Sequence, residues 1–503
     1  MGKDTRHEAM CRVLGLVLPR RGLMVAALYL LVALASVLIL AYAVPPLETP
    51  DEVSHLLRTV MISEGHVRPV RIDHDLGGRI DNAVISYWQA YSAHIGKAAP
   101  VSPDMAAAGA AVRWANAEVL FPFSNSAQYG PFFYLPQAVA LGLGRRIDLS
   151  FEESYRVARL ASALSSILVA AAAIALTRWG RPLMTVMLLT PMFLFLTVSV
   201  SQDGLVIAMA ALYGALLTRL WSRAAPTDRD EGWLTANRTF LAALACVLLL
   251  SLARMPYVLL SFLLVHPDGP GIGALARRRG FLAGLATPLL APAVAVVGVV
   301  AWALLAHIPG TMVTHDPSIN AGAQLAPLLT HPWRIPLVIA ASWPGISDTD
   351  VQIIGVLGWL SIGLQPWAYM MGWSAVKAAI VATLLQRSGP ALASALLAWA
   401  VLLAVMCGIV IALYATWTPV GAAAAVGMQG RYFIPLICLG ALALPSLRSL
   451  VPASLRSQPW WGIGKVDHGL DWVRTALAVV ACAYMLQVLA HGLVQVRHAY
   501  LGV

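Results

Sequence analysis

Asp51, Glu52, His55 and Arg58 lie shortly after the first long apolar run. Asp51, His55 and Arg58 are spaced i, i+4 and i+7, which places them on one face of a helix. Val53, Leu56, Leu57, Val60 and Met61 form an apolar stripe on the opposite face. Thr49 can be the N-cap, Pro50 suits the first helical position, and Glu52 stands where a capping box wants an acid. Gly65 is a fitting stop. A carboxylate near a helix N-terminus keeps its charge. Asp51 can therefore act as a general base, with His55 or Arg58 holding its orientation. Capping alone would use the same acidic pair, so Glu52 reads first as the cap and second as a catalytic partner. Asp203 is another acid at the start of an apolar run, where it can either cap a helix or serve a site.

The elements that must position these residues are set by composition. The chain has 503 residues, 59% of them hydrophobic and 12% charged, with a mean hydropathy of +0.74. A soluble domain could not hide that much apolar surface. The apolar residues fall in blocks of about 15–25, the length that crosses a bilayer. The net charge of +10 does not indicate nucleic acid. Its basic residues sit in short loops between apolar blocks, which fixes orientation in a membrane. The five cysteines show no C-x-x-C pairing, which argues against a disulfide framework or a zinc site.

The fold class expected is an all-α polytopic membrane protein. Residues 1–21 form a cytoplasmic N-terminus and 22–44 an uncleaved first span, because the run exceeds the roughly 7–15 residues of a signal-peptide core. Residues 45–154 make a long periplasmic loop whose apolar stretch Pro131–Gly144 is a juxtamembrane helix. Residues 155–306 make a transmembrane bundle, 307–364 a second periplasmic loop region, and 365–503 the last spans. Alternation predicts spans at about 155–177, 183–200, 204–222, 239–252, 255–267, 281–306, 366–386, 391–415, 432–447 and 472–493. With the first span that is about eleven. The N-terminus is then cytoplasmic and the C-terminus periplasmic.

The segment Val44–Gly65, with P-D-E-x-x-H at 50–55, resembles the opening of a bacterial family of predicted membrane proteins of unknown function placed within the GT-C glycosyltransferase superfamily. Tyr129-Gly130-Pro131 to Tyr134 and Pro136-Gln137 resembles its Y-x-P-x-x-Y-x-P-Q segment. Ala158-Arg159-Leu160-Ala161-Ser162 carries its A-R-L-x-S pattern. Its P-M segment at Thr190-Pro191-Met192, its S-x-D segment within Ser199–Asp203, its G-W-L segment within Gly355–Leu360 and its G-x-Q-G-R-Y-F-x-P block at Gly427–Pro435 find likenesses in order. Arg254 replaces a more usual Lys, which keeps the charge and changes its geometry. The ordered set covers most of the chain.

That resemblance implies a polyprenyl-phosphate sugar as donor and a glycan, lipid or protein as acceptor, at the outer face of a bacterial inner membrane. Asp51, Glu52, His55 and Asp203 are the implied catalytic set. Arg58, Arg254, Arg431 and Tyr432 would steady the donor phosphate, since guanidinium suits phosphate oxygens. Tyr129, Tyr134, Gln429 and Trp359 would meet the substrate, although such aromatics also serve as interfacial belts. Arg159 either caps a span end or anchors loop packing. A divalent metal, Mg or Mn, would have the first-loop histidines with Asp73 and Asp75 as ligands, but no ligand spacing is recognisable. A flippase of lipid-linked sugars would place charges mid-membrane and show inverted repeats; the acids here cluster in loops. A non-catalytic glycan-assembly subunit would keep the same fold.

Overall fold

The computed structural model describes residues 20–73, 75–222, 229–265, 281–306, 318–447 and 465–503, excepting the side chains of 229–237, 281–288 and 465–467. His74, Arg6, Arg12 and the basic run Arg277-Arg278-Arg279 lie outside the described residues.

Among the described residues five helices are long and apolar enough to cross a membrane: Arg20–Ala43, Phe151–Leu176, Asp203–Trp221, Leu392–Thr416 and His468–Leu501. We label Arg20–Ala43 α1. Its Ala26, Tyr29, Ala33, Val37 and Leu40 are buried, while Leu28, Leu31, Leu34 and Leu38 point outward. One side therefore packs on the bundle and the other suits lipid tails.

Residues 45–150 fold as a compact unit between two of these helices. It contains α2 (Glu52–Ser63), β1 (Val70–Ile72), β2 (Asp75–Asp81), α3 (Ala83–Ser92), α4 (Pro103–Ala111), β3 (Glu118–Pro122) and α5 (Leu135–Arg146). The strands form an antiparallel sheet in the order β1-β2-β3, with Arg71 opposite Leu76 and Arg79 opposite Leu120. The chain is mostly helical, in keeping with the all-α expectation, and this small sheet is a local addition to it. The sequence Asp75-Leu-Gly-Gly-Arg-Ile-Asp81 lacks the β-branched alternation that marks a strand. Its glycines are needed for packing instead. A Cβ at Gly77 would lie 2.0 Å from the carbonyl oxygen of Phe121, and one at Gly78 would lie 2.4 Å from the sulfur of Met61. Leu47, Leu56, Leu57, Val60, Met61, Ile80 and Tyr155 share one apolar core, which fastens the unit to the next helix.

That helix is α6 (Phe151–Leu176), opened by a capping box between Ser150 and Glu153. The expected crossing at 183–200 is not one helix. It is split into α7 (Arg181–Leu188) and α8 (Pro191–Thr197). Pro191 cannot donate to the preceding turn, and Thr190 caps the second piece through a 3.3 Å bond from Phe193 N–H. After α9 (Asp203–Trp221) come α10 (Arg229–Ala253), a 3₁₀ helix over Met255–Val265, and α11 (Phe281–Leu305).

The region after α11 is largely helical: α12 (Ala321–Thr330), α13 (Arg334–Ser347) and α14 (Asp350–Gly355) lead into a two-stranded hairpin of β4 (Val356–Leu357) and β5 (Ile362–Gly363). Two longer helices follow, α15 (Pro366–Leu384) and α16 (Leu392–Thr416). The expected crossing at 432–447 is also broken. It is a 3₁₀ turn over Gly430–Tyr432, α17 (Ile434–Leu439) and a second 3₁₀ turn over Gly440–Ala443. The last helix, α18 (Lys465–Leu501), runs past both ends of the expected 472–493 and packs along α15. One apolar core runs through α1, α6, α7, α8, α9 and α17.

Candidate active site

The chain leaving α1 enters a strained turn. Leu47 has φ +67° and Asp51 φ +61°, and neither is glycine. Each such residue costs on the order of 1–3 kcal/mol and persists only when its surroundings over-determine it. They do so here. Arg159 Nη1 donates to the Val44 carbonyl at 2.9 Å, and Leu47 N–H donates to the Tyr155 hydroxyl at 3.1 Å. Glu52 takes three bonds: from Tyr155 O–H at 2.8 Å, Val200 N–H at 3.1 Å and Thr49 N–H at 3.3 Å.

The expected cap is half right. Glu52 reaches back to the Thr49 amide as a capping box requires, but the helix begins at Glu52 and Asp51 occupies the N-cap position. Asp51 does not cap with its side chain. Its left-handed backbone turns the carboxylate away from α2, and Arg431 takes it up.

Four charges then converge from four separate segments. Arg431 contacts Asp51 Oδ2 through Nη2 and donates to the Pro50 carbonyl through Nη1 at 2.9 Å. The same Nη1 lies 3.0 Å from Asp203 Oδ2. Arg254 Nη2 donates to Asp203 Oδ1 at 2.6 Å. Tyr432 lies under both cations, 4.4 Å from Arg254 and 5.4 Å from Arg431. Two carboxylates thus meet two guanidiniums. Exposure divides them. The side chains of Asp203 and Arg431 are 3% and 2% accessible, whereas Asp51 is 32% and Arg254 17% accessible.

Three backbone features build this cluster. Asp203 opens α9 after the short turn that ends α8. Arg254 closes α10, its N–H bonding the Leu250 carbonyl. Arg431 follows Gly430, where an added Cβ would lie 2.7 Å from the Thr349 carbonyl oxygen and from Ile353 N, so only glycine fits there. Gly430 N–H is held by Gln352 Oε1 at 2.9 Å.

His55 and Arg58 do not orient Asp51, contrary to the helical-face expectation. His55 Nδ1 shares a 2.6 Å hydrogen bond with the Tyr134 hydroxyl, and its ring stacks on Tyr129 at 6.3 Å. Burial lowers its pKa to about 4, so the ring is neutral near pH 7. Arg58 is fully buried and donates to the Tyr129 carbonyl at 2.8 Å. Burial lowers its pKa to about 10. It therefore ties α2 to the 128–130 segment and is not presented to a phosphate. That segment is fixed in turn by Gly130 N–H on the Leu252 carbonyl at 3.0 Å and Trp302 on the Gln128 carbonyl at 2.9 Å. Tyr134 is buried, and burial raises its pKa well above the usual phenol value.

Gln429 neighbours the cluster in sequence, and its Oε1 is buried without a hydrogen bond. Trp359 lies elsewhere. It is 41% exposed on the β4–β5 turn, against Gly96. Among the described residues no group of three or more His, Cys, Asp or Glu side chains is placed to hold a metal ion. Asp75, one of the ligands considered, accepts from Ser124 Oγ at 2.7 Å.

Sequence reading missed Glu48, Tyr155 and Gln202. Glu48 is wholly buried three residues before Asp51. Gln202 is buried beside Asp203, with Oε1 free of hydrogen bonds. Both stand one to three residues from a named acid, which is the signal that could have found them. Arg159, for which the sequence allows two roles, is an anchor: it also donates to the Val198 carbonyl at 2.5 Å and so joins α1, α6 and the end of α8.

A family profile described as "Predicted membrane protein (DUF2142)" matches residues 34–439. The chain belongs to that family. No curated protein and no solved structure matches it.

Proposed function

We propose that this DUF2142 membrane protein is a GT-C-type, inverting glycosyltransferase. It moves a sugar from a polyprenyl-phosphate donor to an envelope glycan, lipid or protein at the periplasmic face of a bacterial inner membrane. The topology in this reading has the N-terminus cytoplasmic and about eleven crossings, some made by broken helices. One observation carries the reading. Of four clustered charges, only Asp51 and Arg254, an acid and a cation, have side chains more than a few per cent accessible.

The chemistry assigns each a task. The acceptor hydroxyl gives its proton to Asp51 Oδ1 while its oxygen attacks the anomeric carbon. The bond from that carbon to the phosphate oxygen breaks, and the electron pair leaves with the polyprenyl phosphate. Arg254 meets the charge that develops on that phosphate. Asp203 and Arg431 are the buried frame. Arg431 fixes one oxygen of Asp51 and leaves the other for the proton, and Asp203 holds both guanidiniums in place. Preorganisation of this kind needs no reorganisation during reaction.

The test is mass-spectrometric profiling of lipid-linked and finished glycans in cells with the gene, without it, and with Asp51→Asn. Loss of one hexose or pentose in both altered strains supports the reading and names the sugar. A profile unchanged without the gene assigns the protein to transport or to non-catalytic assembly. A profile lost without the gene but normal with Asp51→Asn removes Asp51 as the base.

A further inference from the structure

The segment that carries Asp51 has a second anchorage, distinct from the ion cluster. Glu48 is 0% exposed. Its Oε2 accepts from Gly96 N–H at 3.2 Å and from the Tyr500 hydroxyl at 3.1 Å. Its Oε1 lies 3.6 Å from His94 Nε2. Residues 48, 96 and 500 come from the turn after α1, the turn after α3, and the last turn of α18. Gly96 has φ +80°, and the β4–β5 turn abuts the same place: a Cβ at Gly358 would lie 2.8 Å from the Tyr500 hydroxyl. Leu47, which precedes Glu48, is one of that turn's two non-glycine residues with positive φ. A strained turn keeps its shape only while its clamps hold.

We propose that Glu48 is a positioning residue, a clasp that joins the Asp51 turn to the end of the last helix and so sets how Asp51 is presented. It acts through the backbone of residues 47–51 and touches no substrate. The proposal rests on the glycosyl-transfer reading only for its activity readout.

The clasp is also sensitive to pH. Burial is the main cause that raises the Glu48 pKa to about 7, and the nearby Glu52 carboxylate adds to it. The other charged or titratable groups facing it are His94 from α3's end, Tyr500 from α18, and, one step further, Lys97 and Arg159. Burial and Lys97 lower the His94 pKa, so His94 does not supply a compensating charge near neutrality. The sign follows. The folded value lies above the ordinary carboxyl value, so the protonated clasp favours the closed turn. That preference is full at low pH and is lost as pH rises through about 7.

The experiment uses the full chain in neutral-lipid nanodiscs and measures hydrogen exchange of the peptides covering 44–52 and the end of α18, at about pH 6 and pH 8. Rates are corrected for the intrinsic pH dependence of amide exchange. The wild type should open roughly tenfold more at the higher pH in both peptides together, and Glu48→Gln should remove that rise. Tyr500→Phe should uncouple the two peptides, and it serves as the second variant if Glu48→Gln does not fold. A pH response identical in wild type and variants overturns the clasp. In transfer assays the wild type should lose activity above about pH 7, and Glu48→Gln should keep it. Failure of the transfer reading shows as activity intact in Asp51→Asn; failure of the clasp shows in exchange, whatever the reaction.

Discussion

Arg431 binds the carboxylate of Asp51 and the carbonyl of the adjoining Pro50 across 380 residues of chain. The same guanidinium lies 3.0 Å from the buried Asp203. Arg431 is thus the common partner of a surface acid and an interior one. Substitution separates these duties. Arg431→Ala leaves Asp203 short of one counter-charge, a loss of roughly 3–5 kcal/mol by the usual cost of breaking a buried ion pair. Arg431→Lys keeps one charge but cannot reach three acceptors with one ammonium. Thermal unfolding in detergent should rank wild type above Lys and Lys above Ala. Equal unfolding temperatures would remove the bridge.

Asp203 and Arg254 are coupled by a 2.6 Å bond with little solvent contact. A double-mutant cycle with Asp203→Asn and Arg254→Gln should therefore be non-additive by about 0.5–3 kcal/mol. Both single variants should also lower the proposed transfer, because Asp203→Asn loosens a guanidinium and Arg254→Gln removes one. Additive stability changes would mean the pair is not formed in the membrane.

His55 gives a pH prediction of a different kind. Its folded pKa is about 4, below the ordinary 6.5, through burial. The unfolded chain then binds more protons between these values. Stability contributed by the neutral ring is full above about pH 6.5 and is lost as pH falls toward 4, by roughly 3 kcal/mol. His55→Gln should flatten that part of the curve. An equally steep decline in the variant would place the titrating group elsewhere.

Gly430 is a packing prediction. A Cβ there would lie 2.7 Å from Ile353 N and from the Thr349 carbonyl oxygen, both backbone atoms that cannot swing aside. Gly430→Ala should cost about 1–3 kcal/mol. It should also lower transfer, since Arg431 is the next residue. Gly65→Ala offers the contrast: its φ of +87° carries strain, but nothing lies within 4 Å of its Cβ. Normal activity and stability in Gly430→Ala would show that the approach is looser than drawn.

Glu52 separates structure from chemistry. All three of its partners are donors. Glu52→Gln replaces an acceptor oxygen by a donor amide and leaves at least one buried donor unmatched, at about 1–3 kcal/mol. The unfolding temperature should fall, with the residual activity keeping the wild-type pH profile. A changed pH profile would give Glu52 a part in proton transfer.

Much of this protein was legible in its sequence because the bilayer leaves so few options. Apolar runs of sufficient length mark α1, α6, α9, α16 and α18, and the family resemblance points to the charged residues of the cluster. Pro191 and Pro435 mark the two breaks in the sequence as well, although the hydropathy of 183–200 and 432–447 reads as continuous. The sheet was not legible, because β2 owes its existence to two glycines that fit under Phe121 and Met61.

What the sequence determined by itself was a membrane protein with acids at Asp51 and Asp203 and cations at Arg254 and Arg431, since hydropathy and charge are properties of each residue. Which charge meets which was decided only by the tertiary structure. Helical spacing assigned His55 and Arg58 to Asp51, because those neighbours are local. The left-handed turn at Asp51 breaks that spacing and gives the carboxylate to Arg431, while His55 and Arg58 turn to Tyr134 and Tyr129. Periodicity holds only while the backbone stays helical, and a strained turn exists only when distant segments close around it.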